Sequence, residues 1–256
     1  MKKEESRFVA SNVMEGMTSI SALLAAKASG INDREILEIR FDKARQAKKM
    51  REFGFLRAKC QELSIPLILT DAADIEQYCI GNTHGGVIAL CGNRTLGTLA
   101  SDNVPQNAFL CFIDGIEDPY NFGYALRSLY AAGCDGVLLG ERNWLSAAGV
   151  VARASAGASE ALPIYTGDPV AAIHTLKTSG YCVAVAGIRD SVSMYDAKLK
   201  KPLLLVVGGE KRGVSKEIEA LADQIVRVDY GREFRGSLSA ASAATVLAFE
   251  VLRQNK

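Results

Sequence analysis

The sequence predicts an α/β protein of two domains, the larger of which has a parallel sheet covered by helices on both faces. Short apolar runs alternate with helical stretches along the 256 residues, as expected for parallel strands joined by crossover helices. A run rich in Gly, Asn and small polar residues, "CGNRTLGTLASDNVPQN" at 91–107, interrupts the alternation. Such composition predicts a linker, so we expect an N-terminal domain at 1–100 and a second domain at 107–256.

In the first domain the pattern predicts helices at 17–28, 43–63 and 72–79, and strands at 36–41, 65–70 and 85–90. The long helix has an apolar stripe at helical spacing, formed by Phe53, Leu56, Cys60 and Leu63. Basic residues greatly outnumber acidic ones over 40–60.

The second domain repeats the alternation more strictly. Apolar runs predict strands at 108–113, 136–140, 161–165, 181–187, 202–208 and 224–228. The final stretch, "SLSAASAATVLAFEVLRQ" at 237–254, predicts a long helix whose small residues allow close packing.

Composition excludes several classes of protein. The net charge of +1 gives no global sign of a nucleic-acid partner. The six cysteines form no C-x-x-C pair and the two histidines are far apart, so we expect neither a disulfide framework nor a metal site. No apolar leader follows the lysines of "MKKEESRFVASN", and we expect a cytoplasmic protein.

Three strand ends lead into segments that can hold a ligand. The first is "DPYNFGYALRSLYAAG" at 118–133, where Asp118-Pro119 suits a helix entry and Asn121 and Arg127 follow. The second is "LLLVVGGEKRGVS" at 203–215, whose glycines permit close backbone approach. The third is "VRVDYGREFRGSLSAASAATVLAFE" at 226–250. Taken singly, each also fits a solvated helix, an ordinary turn or a docked C-terminal helix.

Together, these segments resemble the three motifs of the SPOUT class of RNA methyltransferases, specifically the SpoU/TrmH-like 2′-O-ribose methyltransferases. "ASAGASEALPIY" at 154–165 also fits, and "THGGVIAL" at 83–90 resembles the end of the family's N-terminal RNA-binding domain. The resemblance implies a trefoil knot, S-adenosyl-L-methionine as cofactor, and a homodimer with active sites built from both chains. Deep knots are rare, and composition alone gives no sign of one.

The resemblance also implies roles for individual residues. The cofactor would lie on strand-end backbone at Ala186, Gly187, Gly208, Gly209, Glu210, Val228, Asp229, Tyr230, Ser237 and Leu238. The catalytic set would be Asn121, Arg127, Glu210, Ser237 and Ser239. No phosphate needs a cradle, which accounts for the missing G-x-G-x-x-G.

Arg127 matches the arginine that has been proposed as the general base of this family. Keeping a guanidinium neutral near pH 7 costs about 7 kcal/mol. We therefore expect Arg127 to anchor the flanking phosphate and stabilise developing alkoxide charge, with the proton passing to water or to a carboxylate such as Glu210.

The third motif departs from the family, which usually has Ser-Leu-Asn where this chain has Ser237-Leu238-Ser239. A serine cannot form the two-ended bridge of an amide. The preceding "DYGREFRG" at 229–236 also replaces the family's Ile-Pro-Met run.

The first domain is expected to contact RNA through Arg45, Lys48 and Lys49, with Arg153 as a further contact. A solvated helix face is the alternative for these charges. The sequence thus predicts a ribose 2′-O-methyltransferase acting on structured RNA, with ribosomal favoured over transfer RNA. A non-catalytic RNA-binding paralogue and a nucleotide-binding α/β enzyme are the alternatives.

Overall fold

A computed structural model describes residues 12–79, 84–116, 118–140, 144–210 and 212–256. The chain forms two compact units: unit 1 is Met1–Thr95 with Trp144–Ala161, and unit 2 is Leu96–Asn143 with Leu162–Lys256. Residues 1–11, Thr83 and Lys211, which belong to the sequence segments quoted above, lie outside the described ranges. The segment 144–161, which we predicted within the second domain, packs with unit 1.

The described strands are β1 (Val13–Glu15), β2 (Ile36–Asp42), β3 (Leu67–Thr70), β4 (Val87–Cys91), β5 (Phe109–Asp114), β6 (Gly136–Leu139), β7 (Ile164–Thr166), β8 (Cys182–Ala186), β9 (Val192–Ser193), β10 (Leu203–Gly208) and β11 (Gln224–Arg227). The described helices are α1 (Gly16–Ala28), α2 (Met50–Glu62), α3 (Ala72–Glu76), α4 (Pro119–Ala131), α5 (Ala148–Ala154), α6 (Ala158–Ala161), α7 (Pro169–Thr178), α8 (Lys216–Glu219) and α9 (Ala240–Gln254).

Unit 1 contains a mixed sheet with the strand order β1-β4-β2-β3 in its described part. Strand β4 pairs antiparallel with β1 and β2, while β2 and β3 are parallel. The predicted stripe is confirmed, because Leu56 and Cys60 lie in the core of this unit and Phe53 and Leu63 pack against it.

The predicted helix at 43–63 is shorter in the structure. Only a 3-10 turn forms at Lys43–Arg45, and α2 begins at Met50. The side chain of Asp42 caps the turn by accepting from the backbone N–H of Ala44 at 2.9 Å. None of the residues 43–49 is buried, so no packing favours a regular helix there.

A buried polar network fixes the second segment of unit 1. The guanidinium of Arg34 donates to Glu160 at 2.9 Å and to the carbonyl of Gly92 at 2.9 Å, and the Asn32 amide also donates to Glu160. Arg34 is 3% exposed and Glu160 2%. Every charge here has a partner, which is the condition under which a buried ion pair is tolerated.

Unit 2 has a sheet with the order β7-β6-β5-β10-β8-β11-β9 over its described residues. All of its strand pairs are parallel, as the alternating pattern predicts. Its strands β5, β6 and β10 are almost continuously buried, as expected when helices cover both faces.

The two faces of this sheet pack against different helices. Leu110, Phe112, Leu204 and Val206 form one core with Ile173 of α7 and its neighbours. Helix α9 packs against β10 and against α4.

The short strands β1 and β9 were not predicted, since two or three residues are too few for a periodic pattern. In the described residues no helix has the length and apolar character needed to span a membrane.

We predict that Glu160→Gln lowers the free energy of unfolding of unit 1 by about 3 kcal/mol. It leaves the Arg34 charge buried without its ionic partner. Urea unfolding followed by the fluorescence of Trp144, the single tryptophan, reports on this unit. The control is Glu62→Gln, which removes the exposed pair with Lys59 and should cost less than about 1 kcal/mol. Equal losses for the two variants would contradict the prediction.

Candidate active site

Helix α4 begins as its sequence predicts. The carboxylate of Asp118 accepts from the backbone N–H groups of Tyr120 and Asn121 at 2.9 and 3.0 Å, and Pro119 occupies the first turn. Arg127 lies farther along this helix, exposed to solvent. Its guanidinium forms no ion pair with any residue in the described part of the chain, so its donors are available to a ligand.

The ends of β5 and β10 approach each other too closely for a side chain. The N–H of Gly209 donates to the carbonyl of Asp114 at 3.0 Å. A Cβ on Gly209 would lie 2.0 Å from the carbonyl oxygen of Gly115. The second motif therefore needs glycine at this position to bring the two strand ends together.

Glu210 connects the three predicted motifs. Its Oε1 accepts from the side-chain amide of Asn121 at 3.5 Å and from the backbone N–H of Ala240 at 3.2 Å. The first contact reaches α4, and the second reaches the first turn of α9. The carboxylate thus lies at the positive end of a helix dipole, and its Oε2 accepts no hydrogen bond from the described residues.

Ser239 caps α9. Its hydroxyl accepts from the backbone N–H of Ser242 at 3.2 Å, which is a usual role for serine at a helix N-terminus. The helix consequently begins at Ala240 rather than at the predicted residue 237. Ser237 is exposed.

A second carboxylate is fixed at the end of β11. Asp229 accepts from the Ser193 hydroxyl and, at 2.9 Å, from Nε of Arg227. The Ser193 hydrogen bond is the main reason that the pKa of Asp229 lies below its usual value, and Arg227 lowers it further. Arg227 also donates to the carbonyl of Ser191 at 2.6 Å.

The loop after β11 borders an open surface depression with a volume of about 530 Å³. The residues that line it are Asp229, Tyr230, Gly231, Arg232, Glu233, Phe234 and Leu238. The phenol oxygen of Tyr230 accepts from the backbone N–H of Leu238 at 3.2 Å. This hydrogen bond joins the two ends of the loop.

The sheet order brings the predicted cofactor residues to neighbouring strand ends. Strand β8 lies between β10 and β11, so Ala186-Gly187, Gly208-Gly209-Glu210 and Val228-Asp229-Tyr230 follow adjacent parallel strands. Gly187 donates its N–H to the carbonyl of Val226 at 3.0 Å. The roles of these residues stay predictions.

The predicted RNA-binding residues lie in unit 1. Lys48 is exposed, whereas Arg45 pairs with Asp42 at 3.2 Å and Lys49 with Glu52 at 2.7 Å. Arg153 pairs at 2.9 Å with Glu15, whose carboxylate is buried. This guanidinium therefore has a partner within its own unit.

Sequence reasoning missed three residues of the site. Asp114 ends β5 and accepts from the N–H of Ser215 at 3.2 Å; its place at a strand end was the available signal. Ser193 and Arg227 hold Asp229, but no spacing rule connects Ser193 with a residue so distant in sequence. Among the described residues, no group of His, Cys, Asp and Glu side chains is arranged to hold a metal ion.

This chain is similar in fold to solved structures of RNA methyltransferases. An RNA 2′-O ribose methyltransferase matches 99% of this chain and 91% of its own, with a TM-score of 0.76 and 22% identity. The SpoU methyltransferase AviRb from Streptomyces viridochromogenes, in complex with AdoMet, matches 96% and 90%, with a TM-score of 0.76 and 20% identity. Sequence identities of 22% and 20% establish a shared fold and nothing further. The predicted SPOUT fold class is confirmed, and the knot stays a prediction.

The family model described as the SpoU rRNA Methylase family matches residues 108–249, and this chain belongs to that family. The 23S rRNA (guanosine-2′-O-)-methyltransferase RlmB of Burkholderia sp is 30% identical over 94% of this chain and 96% of its own length. The protein of the same name from Shewanella oneidensis is 27% identical over the whole of both chains.

We predict that Ser193→Ala raises the pKa of Asp229 toward the ordinary aspartate value, because it removes the hydrogen bond with the largest effect. A depressed pKa favours the folded state above the unfolded-state pKa. In the wild type, this stabilisation of the folded state is lost as the pH falls through the pKa of Asp229 in the folded protein. In the variant, the stabilisation by Asp229 should be smaller. NMR titration of the Asp229 carboxyl measures the pKa. The control is Ser191→Ala, whose hydroxyl donates to the carbonyl of Ile188 instead; a shift as large in the control would contradict the prediction.

Proposed function

We propose that this protein transfers a methyl group from S-adenosyl-L-methionine to a ribose 2′-hydroxyl of ribosomal RNA. The observation that supports it best is the meeting of the three motifs at Glu210, beside the helix that contains Arg127. The choice of ribosomal RNA rests on the full-length relatives, which are named as 23S rRNA (guanosine-2′-O-)-methyltransferases. The cytoplasmic location stays a prediction from the sequence.

The strand ends suit S-adenosyl-L-methionine. They offer backbone groups rather than a cluster of basic side chains, which fits a cofactor without phosphates. Backbone at Ala186-Gly187, Gly208-Gly209, Val228 and Leu238 would hold it. When bound, the cofactor supplies an activated methyl group, so the protein mainly positions and orients the reactants.

Arg127 and Glu210 have different roles in the transfer, one toward the RNA and one toward the hydroxyl proton. The exposed guanidinium of Arg127 binds the phosphate next to the target ribose and stabilises negative charge that develops on the 2′-oxygen. The N–H of Ala240 holds Glu210 by its Oε1, which leaves Oε2 to accept the hydroxyl proton, directly or through a water molecule.

Two variants separate binding from transfer. Gly209→Ala should weaken S-adenosyl-L-methionine binding at least about tenfold, because the new Cβ would displace the backbone of Gly115 and the strand-end loops with it. Arg127→Lys should retain cofactor binding and lower kcat about 100-fold, since a lysine cannot reproduce the planar fork. Calorimetry measures binding, and transfer of labelled methyl to ribosomal RNA fragments measures turnover.

The matched control for the glycine is Gly54→Ala, where a Cβ has open space around it; this variant should bind and turn over normally. Near-wild-type turnover by Arg127→Lys would rule out the role given to the guanidinium. A folded wild type that binds no cofactor, with or without RNA, would favour the RNA-binding paralogue.

Unit 1 is the proposed RNA-binding part. Lys48 has no acidic partner in the described residues, while Arg45 and Lys49 lie beside it in the same basic segment. The pairing of Arg153 with Glu15 makes this arginine the weakest of the four candidates. The affinity for RNA should fall steeply with salt if these residues contact phosphates.

A homodimer is the proposed assembly. Tyr120 and Tyr124 on α4 and Phe249 on α9 are 39%, 50% and 45% exposed, and the two helices pack against each other. A second copy would remove these aromatic side chains from water.

We predict a solution mass of twice the 27.4 kDa chain mass, and partial or complete dissociation in Phe249→Lys. Light scattering after size exclusion gives the mass. The control is Phe55→Lys, which places the same charge on an exposed phenylalanine of α2. A monomeric wild type, or equal dissociation in the control, would contradict this assembly.

A further inference from the structure

Two aromatic side chains of the loop after β11 are exposed to solvent. Phe234 is 58% exposed and Tyr230 is 39% exposed. Their centroids are 5.7 Å apart and their planes meet at 64°, a favourable edge-to-face contact. An apolar ring that remains this exposed gains little from burial in its own fold, so its contribution to folding does not account for it.

The loop holds both rings in place. The hydrogen bond from the Leu238 N–H fixes the phenol of Tyr230, and the edge of this ring contacts Phe234. On another side Phe234 lies against the backbone of Gly236, where a Cβ would be 2.6 Å from Cζ of the ring. These two contacts restrict the orientations of the Phe234 ring before any ligand binds, which reduces the entropy lost on binding.

The charges around the rings favour an anionic ligand. Arg232 and Arg235 are exposed on either side of Glu233, and none of the three forms an ion pair with the described residues. Asp229 is already paired with Arg227. The outer part of the loop consequently has one more positive than negative charge.

We propose that Phe234, held by Tyr230 and Gly236, stacks on a nucleobase of the single-stranded RNA segment that contains the target ribose, with Arg232 and Arg235 contacting its phosphates. This assignment rests on the proposed function for its substrate. Methylation requires an accessible 2′-hydroxyl, and single-stranded nucleotides are the ones whose bases can splay onto aromatic side chains. Stacking combined with arginine contacts is how proteins bind such strands.

The test uses the full-length protein and a short oligoadenylate RNA that contains one 2-aminopurine, whose fluorescence is quenched by stacking. The wild type should quench the probe on binding. Phe234→Ala should bind it about 5- to 150-fold more weakly, which is the range for loss of one base–aromatic stack. Phe234→Trp should bind as well as the wild type, because the larger ring also stacks.

Further variants separate the ring from its surroundings. Gly236→Ala keeps the phenylalanine but displaces its ring, and it should also weaken binding. Arg232→Gln should reduce the salt dependence, with a slope smaller by about 1. The matched control is Tyr130→Ala, which removes a 51% exposed aromatic ring near the C-terminal end of α4 and should leave quenching of the probe unchanged. Circular dichroism verifies that each variant is folded.

Three results would overturn the proposal. The first is wild-type affinity and quenching in Phe234→Ala. The second is a loss of S-adenosyl-L-methionine affinity in this variant with RNA affinity unchanged, which would assign the rings to the cofactor. The third is a change of oligomeric mass without a change in RNA affinity, which would assign them to a second copy. The RNA titration needs no cofactor, so quenching that depends on Phe234 in a protein without methyl transfer would reject the proposed function and support the stacking site.

Discussion

The close approach of two parallel strand ends is the constraint on which this molecule's site depends. At Gly209 the backbone passes Gly115 without room for a Cβ, and the hydrogen bond to Asp114 fixes the distance. That contact determines where Glu210 emerges from β10. The carboxylate in turn reaches Asn121 on α4 and the N–H of Ala240 on α9. Because Gly209 has no side chain, three segments that are far apart in sequence can meet at this point.

Much of the fold could be predicted from periodicity, because the buried strands of unit 2 read as apolar runs. The six predicted strands of that unit are present with shifted ends, and the Asp118-Pro119 helix start is confirmed. The failures also have physical reasons. Residues 43–49 have helix-forming composition but bury no side chain, and Val192–Ser193 pairs only because β11 lies beside it. Tertiary context decides such elements, and a local pattern does not contain it.

The candidate site was less accessible to sequence reasoning than the fold. Glycines and small residues at strand ends indicated where a ligand could lie, and the motifs indicated the family of the chain. The partners of the charged groups could not be predicted. Glu15 with Arg153 and Ser193 with Asp229 are pairs distant in sequence, and the first gives a predicted RNA contact a partner within its own unit. Ser239, which departs from the family pattern, has a role that is evident only in the structure, as the cap of α9.

The discontinuity of unit 1 has a consequence for synthesis on the ribosome. Its second segment, Trp144–Ala161, includes Glu160, the buried partner of Arg34. A nascent chain that has emerged only to residue 100 exposes the Arg34 side of the pair and the surface that α5 and α6 later cover. Unit 1 must therefore wait for the first strands of unit 2 to leave the exit tunnel before it can complete its core. Unit 1 can then complete its core before the second segment of unit 2, Leu162–Lys256, has been synthesised, in the N-terminal-first order that is usual in multidomain proteins.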